Sequence, residues 1–80
     1  LLVHTFSSSN KLVCTSNEGN ITITYNENTI TGYTSSGISY DVDGQKEVAE
    51  QIGIESYLED FEKWFSTNTS GTCINYKNNE

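Results

Sequence analysis

Apolar and polar residues alternate along the first half of this chain and recur at helical spacing along the second. Ile21, Ile23 and Tyr25 alternate with Thr22 and Thr24, and Ile38, Tyr40 and Val42 alternate with Ser39 and Asp41. A period of two, rich in Thr, Ile and Tyr, is that of a strand with one face buried. The apolar run through Leu12-Val13-Cys14 predicts a strand before these. Thr29 to Thr34 predicts another between them, with Ser35-Ser36-Gly37 turning into a fourth over Ile38 to Val42. Asn17-Glu18-Gly19-Asn20 and Asn26-Glu27-Asn28 carry turn chemistry, because Asn side chains bond their own backbone and Gly tolerates positive φ. Consecutive hairpins, forming an antiparallel meander, are the economical outcome.

After Gly44 the period lengthens. Val48, Ile52, Leu58, Phe61 and either Trp64 or Phe65 recur at helical spacing, with Glu47, Glu50, Glu55, Glu59 and Glu62 on the other side. This pattern predicts an amphipathic helix. Asp43 is the expected N-cap, since its carboxylate can accept from backbone donors two or three residues on. Gly53 weakens a helix interior and is expected to divide the segment in two. The run Ser66 to Gly71 ends it, and Thr72 to Tyr76 reads as a last strand. The predicted fold class is α+β: a small antiparallel β-meander, a helical segment packed on one face, and a C-terminal strand. Polar residues dominate both ends, so residues 1–10 and 77–80 are expected to be loose tails around a single domain over residues 11–76. Tyr57, Phe61, Trp64 and Phe65 form the core face of the helix. Tyr57 and Trp64, at the edge of that stripe, are the candidates for partial exposure and contact with a partner.

Eighty residues allow one thin core, and such a small domain is expected to carry a staple. Eight large aromatics between Tyr25 and Tyr76 supply enough apolar bulk to argue against complete disorder. The staple on offer is a Cys14–Cys73 disulfide, with a pair of buried free thiols as the alternative. Closing so long a loop contributes roughly 4 kcal/mol in the chain-entropy picture. Two isolated Cys without a nearby His or CxxC spacing make neither a zinc shell nor a redox motif. A persistent disulfide implies an oxidising compartment, hence an extracellular or cell-surface location. Leu1-Leu2-Val3-His4-Thr5-Phe6 is too short and lacks the basic start of a signal peptide, which suggests a mature or trimmed product. Val before Cys14 and the absence of a long apolar run speak against a lipoprotein signal, and no stretch is long enough to span a bilayer.

The net charge of −7 comes from eleven acidic residues against four lysines and no arginine. Such a surface repels phosphate backbones and anionic membranes and lacks the guanidinium fork that clamps phosphate. Its charge suits solubility, or the approach of a basic protein partner.

Catalytic arrangements are missing from the sequence. The single histidine, His4, falls in the polar N-terminal stretch, so neither a Ser-His-Asp nor a Cys-His arrangement has a fixed base. No phosphate loop, HExxH or nucleophile elbow occurs. Asp41 with Asp43, and Glu59 with Asp60, pair carboxylates, but acid–base work needs one of each pair desolvated. From Ser39, the positions of Asp41, Asp43, Gly44 and Glu50 match much of an EF-hand loop. Ser in first position, Lys46 in eighth and a strand-like lead-in count against calcium; a strand-to-helix turn is the alternative. No metal and no cofactor are expected. Asn20-Ile21-Thr22 and Asn68-Thr69-Ser70 fit the glycosylation pattern, which matters only for a eukaryotic source.

Lys11-Leu12-Val13-Cys14-Thr15, the Ile52-Gly53-Ile54 break, Trp64-Phe65 and Gly71-Thr72-Cys73 together resemble small exported proteins of low-GC Gram-positive bacteria. Abundant Asn, Ile and Tyr with no Arg or Pro also suits an AT-rich genome. The resemblance implies export and no particular activity. The sequence therefore points to a non-enzymatic exported or cell-surface binding module with a protein partner. The alternative is an acidic inhibitor or immunity-type protein directed at a basic enzyme. An edge strand beside a Thr-rich sheet leaves the oligomeric state open.

Overall fold

Two side-chain-built turns fold the first half of the chain into a sheet. Ser16 Oγ accepts from the N–H groups of Glu18 and Gly19, at 3.0 and 3.2 Å, and closes the first turn. Asn26 Oδ1 accepts from Asn28 and Thr29, at 2.7 and 2.9 Å, and closes the second. In the computed structural model, which describes residues 10–38 and 40–77, these turns join β1 (Asn10–Thr15), β2 (Asn20–Tyr25) and β3 (Ile30–Ser36). Two helices follow, α1 (Gln45–Ile52) and α2 (Ile54–Thr69), and then β4 (Thr72–Tyr76). The four strands form one antiparallel sheet in the order β3-β2-β1-β4. The α+β class, the meander and the C-terminal strand are as the sequence predicts. The expected tails lie almost wholly outside the described residues, as do His4 and the opening Leu1 to Phe6; Asn10, expected in the tail, begins β1.

The helices cover one face of the sheet. Leu12 and Cys14 of β1, Ile21, Ile23 and Tyr25 of β2, and Ile30 of β3 meet Ala49, Ile54, Tyr57, Leu58, Phe61 and Phe65 from above. The α2 contribution follows positions 54, 57, 58, 61 and 65, one stripe of a helix. Each large side chain of this kind contributes roughly 1.5–3 kcal/mol on burial. Substitution of Phe65, which is fully buried, would open the largest hole.

Cys14 and Cys73 are joined, and they face each other directly in the β1–β4 register with Cα atoms 4.0 Å apart. So close an approach belongs to a non-hydrogen-bonded antiparallel pair. The bridge ties β4, whose residues are mostly exposed, to the fully buried position of Cys14.

Four sequence expectations need correction. Ile38 to Val42 is not a strand over its described residues; Ser39 lies outside them. Ile38 and Tyr40 instead pack half-buried on the core while Val42 is exposed. Alternation reports an extended segment with one side against the core, and this one crosses from sheet to helices with no strand beside it. Asp43 does not cap α1. Gly44 holds the N-cap position at φ 80°, and the Asp43 N–H is taken by Asp41 Oδ1 at 2.9 Å. Val48 and Ile52 lie outside the core, 41% and 45% exposed. Gly53, at φ 96° and ψ 143°, breaks the helical phase, so α1 docks through Ala49 and does not extend the stripe of α2. That backbone conformation suits glycine alone. Tyr57 is only 5% exposed, while Trp64 is half-buried against the core. Leu58 and Tyr57 share the centre of the stripe, so Tyr57 reaches no outer surface.

The end of α2 lies within the polar run that sequence assigns to it, but late in that run, at Thr69. Ser66 Oγ, Asn68 Nδ2 and Thr69 Oγ1 donate back to the carbonyls of Glu62, Trp64 and Phe65, which lets polar residues prolong the last turn.

Candidate functional site

The open end of the sheet and the first half of α2 enclose a groove. Tyr25, Ile54 and Leu58 give it an apolar floor, and its volume is about 740 Å³. Glu55, Glu59 and Glu62 descend one side of α2, at helical positions i, i+4 and i+7, and Glu27 reaches in from the β2–β3 turn. Asn75 and Lys77, from the end of β4, close the far wall. Four carboxylates thus surround an apolar floor with a single lysine among them. The Tyr25 hydroxyl donates to Asn75 Oδ1, which pins β4 to the floor across the intervening β1.

Beside the groove lies an aromatic cluster. Tyr40 stacks on Tyr33 with ring centroids 5.8 Å apart and meets Trp64 at 4.8 Å and Phe61 at 5.4 Å. Gln45 Oε1 accepts from the Tyr57 hydroxyl at 2.7 Å and from the Tyr40 hydroxyl at 3.5 Å. The Tyr33 hydroxyl is buried with no hydrogen-bond partner among the described residues. Desolvation first, and the neighbouring Tyr40 second, push the Tyr33 and Tyr57 hydroxyls well above the ordinary tyrosine value. Both stay protonated at any physiological pH, which suits a structural cluster.

The residues singled out in the sequence do not converge. Cys14 and Cys73 lie under the helices, Trp64 sits in the aromatic cluster, and Tyr57 is core. Asp41 serves the Asp43 N–H, and Glu50 Oε2 accepts from Thr29 Oγ1 at 2.6 Å. No three His, Cys, Asp or Glu side chains among the described residues are placed to hold a metal ion. Asp41, Asp43, Glu59 and Asp60 are all exposed, so neither carboxylate pair has the desolvated member that acid–base chemistry requires. Asn20 is exposed on β2 and Asn68 on α2.

The groove itself was partly readable. Glu55, Glu59 and Glu62 form a stripe by spacing alone, but they read as a solvated helix face. Their union with Glu27, Tyr25 and Asn75 needs the sheet order, which places the ends of β2 and β4 on either side of β1.

What this groove can do is hold a cation with an apolar body: carboxylates for the charge, Ile54 and Leu58 for the stem. Among the described residues no helix is long and apolar enough to cross a membrane. Compared with protein families, with curated proteins and with solved structures, the chain matches none. Nothing in those comparisons or in the described residues points to an enzyme.

Proposed function

We propose that this chain is a non-enzymatic binding domain that works outside the cytoplasm and takes a basic, partly apolar segment of another protein into the acidic groove. The observation that carries this reading is the pairing of an apolar floor with four glutamates in one open cavity. A lysine or arginine stem would lie along Leu58 and Ile54 and leave its charged head among Glu55, Glu59 and Glu62. The disulfide supports an oxidising compartment. If the basic partner were an enzyme, the same contact would make the domain its inhibitor.

Titration of the disulfide-intact chain with a lysine- and leucine-bearing peptide, and with its glutamate-bearing counterpart, tests the proposal. The basic peptide is expected to bind, to shift the amide resonances of Ile54, Leu58 and Glu59, and to weaken as salt rises. Equal binding of both peptides, or binding indifferent to salt, would count against it.

A further inference from the structure

Among the described residues the sheet has two edges, β3 and β4, and only one is protected. On β3, Thr24 of β2 opposes Gly32 while Tyr25 opposes Ile30, so Thr31 is an extra residue that kinks the edge. β4 pairs with β1 residue for residue without a shift. Its sequence, Thr72-Cys73-Ile74-Asn75-Tyr76, contains no charge and no proline. Ile74 and Tyr76 are 55% and 54% exposed. Charge, proline and bulges are among the devices by which edge strands avoid pairing with other chains, and β4 has none of these three.

We propose that β4 is a self-pairing edge, and that two copies of this chain join β4 to β4 in an antiparallel arrangement to make one continuous eight-stranded sheet. The register follows from the parity of the strand. Cys14 and Cys73 form a non-hydrogen-bonded pair, so the N–H and C=O groups of Cys73 and Asn75 point away from β1, toward the free edge. A two-fold axis through Ile74 sets Cys73 of each copy opposite Asn75 of the other, and every one of these outward groups finds a partner. The same axis places Ile74 against Ile74 of the second copy and Thr72 against Tyr76, all on the face of the sheet away from the helices. Such β-branched and aromatic cross-strand pairs are favourable. On that face they continue the side chains of Val13 and Lys11, which oppose Ile74 and Tyr76 in the sheet.

A second copy suits this edge because β4 carries no carboxylate, whereas the chain as a whole carries −7. Over the chain as a whole, eleven acidic residues face four lysines, so most other contacts between two copies bring like charges together. A five-residue edge buries much less than the roughly 800 Å² per partner of a standard stable interface, so the dimer is expected to be weak and reversible. Because both copies are acidic, salt strengthens it by screening their mutual repulsion.

Sedimentation and amide exchange, on the whole chain with its disulfide intact and from micromolar to millimolar concentration, provide the test. The mass is expected to rise toward that of a dimer while the Cys73 and Asn75 amides slow by about tenfold or more. Ile74→Lys puts a charge at the centre of the pairing, on a side chain that the fold leaves exposed, and is expected to abolish both changes. Thr34→Lys, on the β3 edge, is expected to leave both in place. A chain that stays monomeric through the millimolar range overturns the proposal. So does a dimer whose Cys73 and Asn75 amides exchange as fast as in the monomer, or one that survives Ile74→Lys.

Discussion

The first half of α2 and the strand β4 lie side by side at one end of the molecule and offer contrasting surfaces. Between Ile54 and Glu62 the helix carries Glu55, Glu59, Asp60 and Glu62; between Thr72 and Tyr76 the strand carries no charge. The helix spends its backbone groups within itself, so only its side chains can recognise a partner. Among the described residues the strand keeps backbone donors and acceptors free along one edge, so it can recognise another strand with hardly any side-chain specificity. Charge has been partitioned between them, and the partition decides what each can meet. Salt should weaken what the helix side binds and strengthen what the strand side joins.

The largest expected effect removes both surfaces at once. Asn75 serves each of them, its side chain in the groove and its backbone on the edge, and β4 is tied to the core by its pairing with β1 and by the Cys14–Cys73 bridge. Cys14→Ser with Cys73→Ser releases a loop closed by residues 59 apart in sequence, and is expected to lower stability by roughly 4 kcal/mol, model-dependent. Urea denaturation of the double variant measures it. A loss under about 1 kcal/mol would mean that β4 holds its place through backbone pairing alone.

Alkaline pH is expected to act next, through the cluster that supports α2 rather than through either surface. Tyr33 and Tyr57 have hydroxyls raised above the tyrosine value of 10.0 by burial and by Tyr40. The unfolded chain therefore loses these protons first as pH rises. Their contribution to stability is whole below pH 10 and declines progressively above it. Tyrosinate absorbance should show a late class from Tyr33 and Tyr57, appearing together with loss of the fold. Tyr33→Phe removes a buried hydroxyl that has no partner among the described residues, so it is expected to cost little and to thin the late class. If no late class appears while the fold persists, the surroundings of Tyr33 and Tyr57 are wetter than their burial indicates.

The sequence foretold the elements better than it foretold their surroundings. The turns expected at Asn17 to Asn20 and Asn26 to Asn28, the first of them closed by Ser16 rather than by an Asn, the break at Gly53 and the strand Thr72–Tyr76 follow from local chemistry that no distant contact overrides. Ile38 to Val42 failed because period two records which side is buried, not whether a neighbouring strand exists. Val48 and Ile52 failed because the φ of Gly53 resets the helical phase, and a stripe drawn across it joins two unrelated faces. The edge character of β4 could not be seen in its composition until the order β3-β2-β1-β4 placed it outermost. Glu55, Glu59 and Glu62 were in plain view, but the apolar floor beneath them belongs to strands far away in sequence.

The smallest expected effect is also the one that separates the two surfaces most cleanly. Glu59 and Glu62 line the groove, and Glu59→Gln with Glu62→Gln keeps their shape while removing two of the four negative charges around its floor. Exposed charge contacts contribute about 0.2–1 kcal/mol each, so losing two should lower the affinity for a basic peptide by about two- to thirtyfold, with less loss at high salt. The same change lowers the repulsion between two copies, so β4 pairing should strengthen, by about twofold, and respond less to added salt. Peptide titration and sedimentation on the one variant read both numbers. Opposite signs would uphold the division of labour between α2 and β4. A loss in both would mean that the groove and the edge are one surface, in which a second copy, rather than a basic partner, meets the glutamates.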